Sequence, residues 1–213
     1  MTRKAIIYGH PHSGSTILRC MIGASPCIAD CAAEAQEAPD VDADWLMSLV
    51  KWPLWRKGII EPDGHAKIFI VRDPAFALYS LRQRFSIDIP DDHAALFDVR
   101  YWADYFDRWI AASEDPCEYA IRYTDIFSVP ILSDLHSFLG VSCGSPYGEY
   151  LRSIGDAEMP TPGDIPSPTD HVSYRRHQIN QPIRCMDDPG KRHDGPLVEK
   201  ITKLKSYKRI FGG

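Results

Sequence analysis

The strongest constraint on this chain comes from residues 5–16, which read Ala-Ile-Ile-Tyr-Gly-His-Pro-His-Ser-Gly-Ser-Thr. The apolar run over residues 5–8 is typical of a buried strand, and it ends at Gly9 in a short polar loop. A helical pattern follows, with one apolar face made of Ile17, Leu18, Met21 and Ile22. A strand, a glycine loop and a helix in this order direct backbone N–H groups at an anion on the helix N-terminus. The stretch predicts an anion-binding loop, and an ordinary strand–turn–helix corner is the alternative.

The loop has the spacing of a P-loop, Gly9-x4-Gly14-Ser15-Thr16, but Ser15 stands where a nucleoside triphosphatase has its lysine. That lysine reaches the β- and γ-phosphates, so its absence argues against a nucleoside triphosphatase. Such an enzyme also needs a carboxylate for Mg²⁺ after an apolar strand, and Asp73 is the only contender. A nucleotide or small-molecule kinase with a degraded P-loop is therefore the alternative enzyme.

Composition sets the broad class of the protein. The 213 residues predict a single domain, 1–213, with an ordinary core, because 44% of them are hydrophobic and 25% are charged. A formal charge of −5 offers no general attraction to nucleic acid or to an anionic membrane, so neither is expected as a partner. Neither a transmembrane run nor a secretory signal is expected. The six cysteines lack metal-ligand spacing, which predicts free thiols in the cytoplasm.

Strands and helices alternate along the first two thirds of the chain. Strands are predicted at residues 5–8, 66–71 and 119–123. Helices are predicted at residues 43–50, 74–85, 92–113, 129–139 and 196–207, and the aromatic stripe of the third is expected in the core. Residues 24–44 are predicted as a loop with a short helical turn at 32–36. The alternation predicts a three-layer α/β fold, P-loop-like, with a mainly parallel central sheet between helices.

The segment 141–193 is different, because proline, glycine and polar residues dominate it and basic charge is concentrated at residues 174–177 and 190–193. In an acidic protein, this irregular segment is predicted to act as a lid or to clamp a phosphate. A merely solvated segment is the alternative.

Three separated segments resemble the motifs of the sulfotransferase family, in the family's order. Residues 11–16, Pro-His-Ser-Gly-Ser-Thr, resemble the family's Pro-Lys/Arg-Ser-Gly-Thr-Thr loop. Arg72-Asp73-Pro74-x5-Ser80 resembles its 3′-phosphate motif, in which an arginine and a helical serine converge on one phosphate. Residues 122–125, Arg-Tyr-Thr-Asp, are similar to its Arg-Tyr-Glu-Asp segment.

Weaker matches extend the resemblance over most of the chain. Residues 51–53, Lys-Trp-Pro, are similar to a Lys-x-Pro segment of bacterial and tyrosylprotein members. Residues 178–183 and 190–192 resemble a late region of bacterial members. The chain is thus identified as sulfotransferase-like.

The resemblance implies a donor and its binding residues. It implies a sulfotransferase that moves a sulfuryl group from 3′-phosphoadenosine-5′-phosphosulfate (PAPS) to a hydroxyl or amine acceptor of unknown class, without a metal. The 5′-phosphosulfate would be held by Pro11, His12, Ser13, Gly14, Ser15 and Thr16. The 3′-phosphate would be held by Arg72, Ser80, Arg84, Tyr123 and Lys191.

The resemblance also implies the catalytic residues. His12 and Lys51 would stabilise the leaving oxygen, the Thr16 hydroxyl would add a donor, and Glu34 would be the general base, with Glu37 nearby. An exposed acidic loop residue is the alternative for Glu34.

His12 is the main departure from the family, because it stands where the family has a lysine or arginine. Histidine titrates near neutrality, and a bound dianion favours its charged form. A catalytically weak, phosphonucleotide-binding relative is therefore the alternative to an active enzyme.

Overall fold

The computed structural model describes residues 4–23, 30–34, 46–51, 64–84, 91–140, 187 and 189–212. These residues form an α/β fold in which a parallel sheet lies between two layers of helices. The expected fold class is thereby confirmed. Among the described helices, none combines the length and the apolar character that crossing a bilayer requires.

All strand pairs of the described sheet are parallel, and the strand order is β2-β3-β1-β4-β5. The strands are β1 Lys4–Gly9, β2 Asp30–Glu34, β3 Leu46–Lys51, β4 His65–Val71 and β5 Glu118–Arg122. Gly9 ends β1 opposite Lys51 of β3 and Ile70 of β4. From β1 the chain continues to β2 and β3, which lie on one side of β1 within the sheet, and then to β4 and β5 on its other side. The loop after Gly9 therefore lies at a topological switch point, where α/β sheets bind ligands.

The helices cover both faces of the sheet. They are α1 Ser15–Gly23, α2 Pro74–Arg84, α3 Asp91–Ala94, α4 Val99–Glu114, α5 Val129–Leu139, α6 Pro196–Thr202 and α7 Lys205–Phe211. Short 3₁₀ turns lie at Ala95–Phe97, Tyr123–Phe127 and Pro189–Lys191.

Alternation along β1 explains the two core layers. Ala5 and Ile7 pack with side chains of α1 and α5 on one face of the sheet. Ile6 and Tyr8 point to the other face, where Tyr8 stacks on Phe69 with ring centroids 4.8 Å apart. The predicted aromatic stripe of α4 is in the core, as expected, with Tyr101, Trp102, Tyr105 and Phe106 all fully buried.

Two predictions for the chain between α1 and β4 are wrong. Residues 30–34, expected in a loop, form β2, and residues 46–50, expected in a helix, belong to β3. Of the helical turn predicted at 32–36, residues 32–34 are in β2 and the other two lie outside the described residues. A short apolar segment has no period that separates a strand from a helix. In this structure the backbone of β3 pairs with that of β1, and the backbone of β2 pairs with that of β3.

The prediction of one long helix at 92–113 is also wrong, because the helical structure is interrupted at Asp98. This residue has an extended backbone, and its carboxylate accepts a 2.8 Å hydrogen bond from the Arg100 N–H. Asp98 therefore caps α4 at its N-terminus instead of continuing a helix from α3. Extended Leu204 divides the predicted last helix into α6 and α7 in a similar way.

His10 joins the ends of the two central strands. Its Nε2 accepts a 3.1 Å hydrogen bond from the Arg72 N–H, so Nδ1 carries the proton and donates to the Pro11 carbonyl at 2.9 Å. The ring is fully buried and packs edge-on against Trp102 and Tyr105. Burial lowers the pKa of His10 to about 4, so this imidazole is neutral near pH 7.

We predict that His10 makes the folded protein sensitive to mild acid. Between pH 6.5 and about 4 the unfolded chain gains a proton at His10 that the folded protein does not, so stability is lost as pH falls. The full loss is about 3 kcal/mol by linkage. The free energy of unfolding in urea should fall less steeply from pH 7 to pH 4.5 in His10→Gln than in the native protein. His65→Gln, at the end of the sheet away from the loop, is the control. Equal slopes of unfolding free energy against pH in all three proteins would contradict the prediction.

Candidate functional site

The loop between β1 and α1 has a turn that its sequence dictates. The Ser13 N–H donates to the His10 carbonyl at 3.1 Å, which places Pro11 and His12 at the two central positions. His12 has φ of +63°, so the turn has the proline and the positive φ that define type II. Glycine or asparagine usually takes the second position, and an imidazole there keeps the backbone in a sparsely populated region. The loop thus holds His12 in a fixed orientation.

The glycines at either end of the loop allow close packing. A Cβ on Gly9 would lie 2.5 Å from the Ser13 Oγ, and a Cβ on Gly14 would lie 2.3 Å from Cδ2 of Tyr123. Gly14 also has φ of +88°, which a larger residue rarely adopts. The Ser13 Oγ is buried and has no hydrogen-bond partner among the described residues. A bound oxyanion is one kind of group that would satisfy such a hydroxyl.

Arg72 stands immediately after β4 and faces this loop. Its Nη1 donates to the His12 carbonyl at 3.2 Å, and its guanidinium carbon lies 4.2 Å from the centroid of the Tyr123 ring. Its Nε and Nη2 both donate to Oδ1 of Asp187, at 2.9 and 2.6 Å. The guanidinium is therefore held between the His12 carbonyl in the loop, the Tyr123 ring after β5 and the Asp187 carboxylate near the C-terminus.

Ser80 reaches the same loop from α2. Its Oγ lies 3.0 Å from Nδ1 of His12, and the His12 ring lies 5.8 Å from that of His93, edge-on. Arg72 and Ser80, which were expected to converge on one phosphate, both contact His12: Arg72 its carbonyl oxygen and Ser80 its side chain. His93 is a site residue that sequence reasoning missed, because it was expected inside an unbroken helix.

The C-terminal part of the chain docks on the first turn of α2. The Asp73 Oδ1 accepts from the Ala75 N–H at 2.8 Å and so caps α2 at its N-terminus, and its Oδ2 accepts from the Tyr207 hydroxyl at 2.9 Å. Burial, with the negative charge of Asp73, raises the pKa of Tyr207, so this phenol stays a donor. The His193 N–H donates to the Ala75 carbonyl at 2.9 Å. These contacts place His193 and Tyr207 against Ala75 and Asp73, which follow closely after Arg72 in the chain.

The remaining predicted residues are placed only in part. Thr16 is in the first turn of α1, and Lys191 is exposed in the turn Pro189–Lys191. Glu34 and Lys51 are the last residues of β2 and β3, so their backbones lie at the end of the sheet that carries the loop. Arg84 is the last residue of α2. The side chains of these three residues lie outside the described part of the structure, as does Glu37.

Two further features bear on the chemistry of the site. His65 begins β4 at the end of the sheet away from the loop, where it pairs with Lys4 of β1. Within the described ranges, no three His, Cys, Asp or Glu side chains come together as they would to bind a metal ion. The groups that do converge are a half-buried cation, hydroxyls and a helix N-terminus, and this arrangement suits an oxyanion.

Comparisons with known proteins support the fold. No protein-family model matches the chain, and no curated protein matches it in sequence. Solved structures do match, among them the crystal structure of mouse sulfotransferase SULT7A1 complexed with PAP. That match has a TM-score of 0.53 and 13% sequence identity, and it covers 99% of this chain and 82% of the mouse chain. The described structure therefore has an α/β fold similar to that of a sulfotransferase.

Proposed function

We propose that this chain is a sulfotransferase that uses PAPS as donor and a hydroxyl or amine as acceptor. One observation carries the proposal: Arg72 and Ser80, which lie 60 and 68 positions after His12 in a single motif, both contact His12. The Ser80 Oγ lies 3.0 Å from its Nδ1, and the Arg72 Nη1 lies 3.2 Å from its carbonyl oxygen. The sequence resemblance assigned the loop to the 5′-phosphosulfate of one nucleotide and both Arg72 and Ser80 to its 3′-phosphate.

The groups that converge at the loop fit phosphate. Arg72 supplies a permanent positive charge with N–H donors in the geometry that phosphate oxygens prefer. The α1 N-terminus supplies backbone N–H groups and the positive end of a helix dipole. The Ser13 hydroxyl, buried and without a partner among the described residues, adds a donor. PAPS carries phosphate groups on both the 5′ and the 3′ oxygens of its ribose, and it would therefore use both parts of the site.

The loop would bind the 5′ end of the donor and promote departure of the phosphate. The backbone N–H groups of residues 13–16 and the hydroxyls of Ser15 and Thr16 would hold the 5′-phosphate. During transfer, the acceptor atom loses its proton and bonds to sulfur as the bond from sulfur to the phosphate oxygen breaks. His12, as the imidazolium, and Lys51 would stabilise the negative charge that develops on that oxygen.

The other group of residues would hold the 3′-phosphate and align the donor. Arg72 and Ser80 are the central pair, and Arg84, Tyr123 and Lys191 complete the proposed set. Tyr123 packs its ring against the Arg72 guanidinium, so it would orient the cation. Fixed alignment lowers the activation free energy of such a transfer substantially, because the acceptor atom, the sulfur and the leaving oxygen must lie in line.

The proton of the acceptor would pass to Glu34, whose strand ends at the same edge of the sheet as the loop. The acceptor is proposed only as a hydroxyl or an amine.

The alternative of a magnesium-dependent kinase has less support from the structure. Asp73, the only contender for the metal-binding carboxylate, uses Oδ1 to cap α2 and Oδ2 to accept from Tyr207. Both oxygens of this carboxylate therefore already have structural roles, at the start of α2 and toward Tyr207.

The first test of the proposal is calorimetric titration with 3′-phosphoadenosine-5′-phosphate (PAP), the desulfated product. We expect the native protein to bind PAP, and Arg72→Ala to weaken binding by roughly tenfold to a hundredfold, because a charge-assisted contact is lost. Arg100→Ala, on the exposed surface of α4, is the matched control and should bind like the native protein. Thermal unfolding of each variant shows whether Arg72→Ala stays folded, and Arg72→Lys keeps the charge without the planar donors.

One result would contradict the proposal. If PAP does not bind while ATP binds in a magnesium-dependent way, the site belongs to a kinase.

A second test concerns His12. We expect His12→Arg to raise the rate at which PAPS is converted to PAP with a panel of phenol, sugar and peptide acceptors, because a permanent cation replaces a titrating one. His12→Ala should abolish turnover. His65→Ala, at the end of the sheet away from the loop, should leave the rate unchanged. Equal binding of PAPS and PAP by the native protein, with no turnover on any acceptor, would indicate a nucleotide-binding relative instead.

A further inference from the structure

Asp187 is the residue whose role the proposed function leaves unexplained. It was not predicted as a site residue, and only Asp187 and residues 189–193 of the segment 141–193 are described. Its Oδ1 accepts from both Nε and Nη2 of Arg72, at 2.9 and 2.6 Å. An arginine presents these same donors to a phosphate when it binds one with two parallel hydrogen bonds. The carboxylate therefore uses the donors that a phosphate would need.

The pair is largely removed from water. The Asp187 side chain is 9% exposed and that of Arg72 is 17% exposed. Burial raises the pKa of Asp187, and Arg72 opposes that shift through its charge and hydrogen bonds. A buried guanidinium needs an anionic partner, because a lone buried charge is strongly destabilising. Either a carboxylate or a phosphate meets that need.

The C-terminal segment is held at the site independently of this ion pair. The His193 N–H donates to the Ala75 carbonyl, and the Tyr207 hydroxyl donates to Asp73. Neither hydrogen bond involves Asp187 or the Arg72 side chain. Loss of the ion pair would therefore leave both of these hydrogen bonds, which hold His193 and Tyr207 at the start of α2, in place.

We propose that Asp187 competes with phosphate for Arg72 and thereby sets the affinity of the site for the 3′-phosphate of the nucleotide. The nucleotide part of this inference rests on the proposed function. A carboxylate carries one negative charge, whereas a phosphate monoester carries close to two near pH 7. A phosphate can therefore displace the carboxylate, and part of its binding free energy is used to break the existing pair. The residue tunes affinity and does not act on the reacting atoms.

The experiment titrates the native protein, Asp187→Asn and Asp194→Asn with PAP and, separately, with inorganic phosphate. Asp194 is the matched control, because its carboxylate pairs with Arg192 at 2.8 Å on the exposed surface. We expect Asp187→Asn to bind both ligands about tenfold more tightly than the native protein, since a neutral amide holds Arg72 less strongly. Asp194→Asn should bind both like the native protein.

The outcomes separate this inference from the proposed function. If Asp187→Asn binds phosphate more tightly but no variant binds PAP, the proposed function fails and the competition at Arg72 stands. If the native protein binds PAP and Asp187→Asn binds it equally or more weakly, the proposed function stands and the inference is overturned. Unchanged binding of both ligands also overturns it.

A second variant guards against loss of the fold. Asp187→Ser removes the charge and leaves room for a bound oxygen, and thermal unfolding of both variants is measured with and without phosphate. Phosphate should raise the unfolding temperature of both variants more than that of the native protein, because Arg72 then lacks its carboxylate partner. Equal increases in all three proteins would count against the inference.

Discussion

This site is organised around the Arg72 guanidinium, which needs hydrogen-bond acceptors and a contact for its face. Arginine cannot lose its charge in a protein, so an Arg72 that is mostly removed from water must have acceptors and a favourable contact for its face. The His12 carbonyl and the Asp187 carboxylate supply the acceptors, and the Tyr123 ring supplies the face. Gly14 lacks the side chain that would block Tyr123. The loop, the turn after β5 and the C-terminal segment are thereby positioned around one cation suited to oxyanions.

The parts of the fold that the sequence predicted are those with strong local signals. Strands β1, β4 and β5 are apolar runs bounded by turn residues, and α5 ends at Gly140, which has φ of +69°. Residues 30–34 are mostly small, and residues 46–51 form a short apolar segment whose pattern does not separate a strand from a helix. They are strands because β1 offers its backbone to β3, which then pairs with β2. Pairing between residues some 40 positions apart is a tertiary effect that local sequence does not encode.

The site shows the same division between local and long-range information. The loop and Arg72 could be predicted, because a glycine spacing and an arginine at the end of a strand are local features with a chemical meaning. His93 and Asp187 could not be, since each reaches the site through the packing of a segment distant in sequence from its partner. Asp187 pairs with a residue 115 positions away. It lies in a segment whose sequence signal was proline, glycine and polar residues with two basic clusters. The sequence thus predicted cations at this edge of the sheet without their carboxylate.

The most direct test of the central claim, that Arg72 and the loop bind the two ends of one nucleotide, is a crystal structure of the protein with PAP. The account predicts one phosphate within hydrogen-bond distance of Arg72, in place of the Asp187 carboxylate, and the other at the backbone N–H groups of residues 13–16. PAP bound elsewhere, or bound with the Arg72–Asp187 pair intact, would contradict the claim.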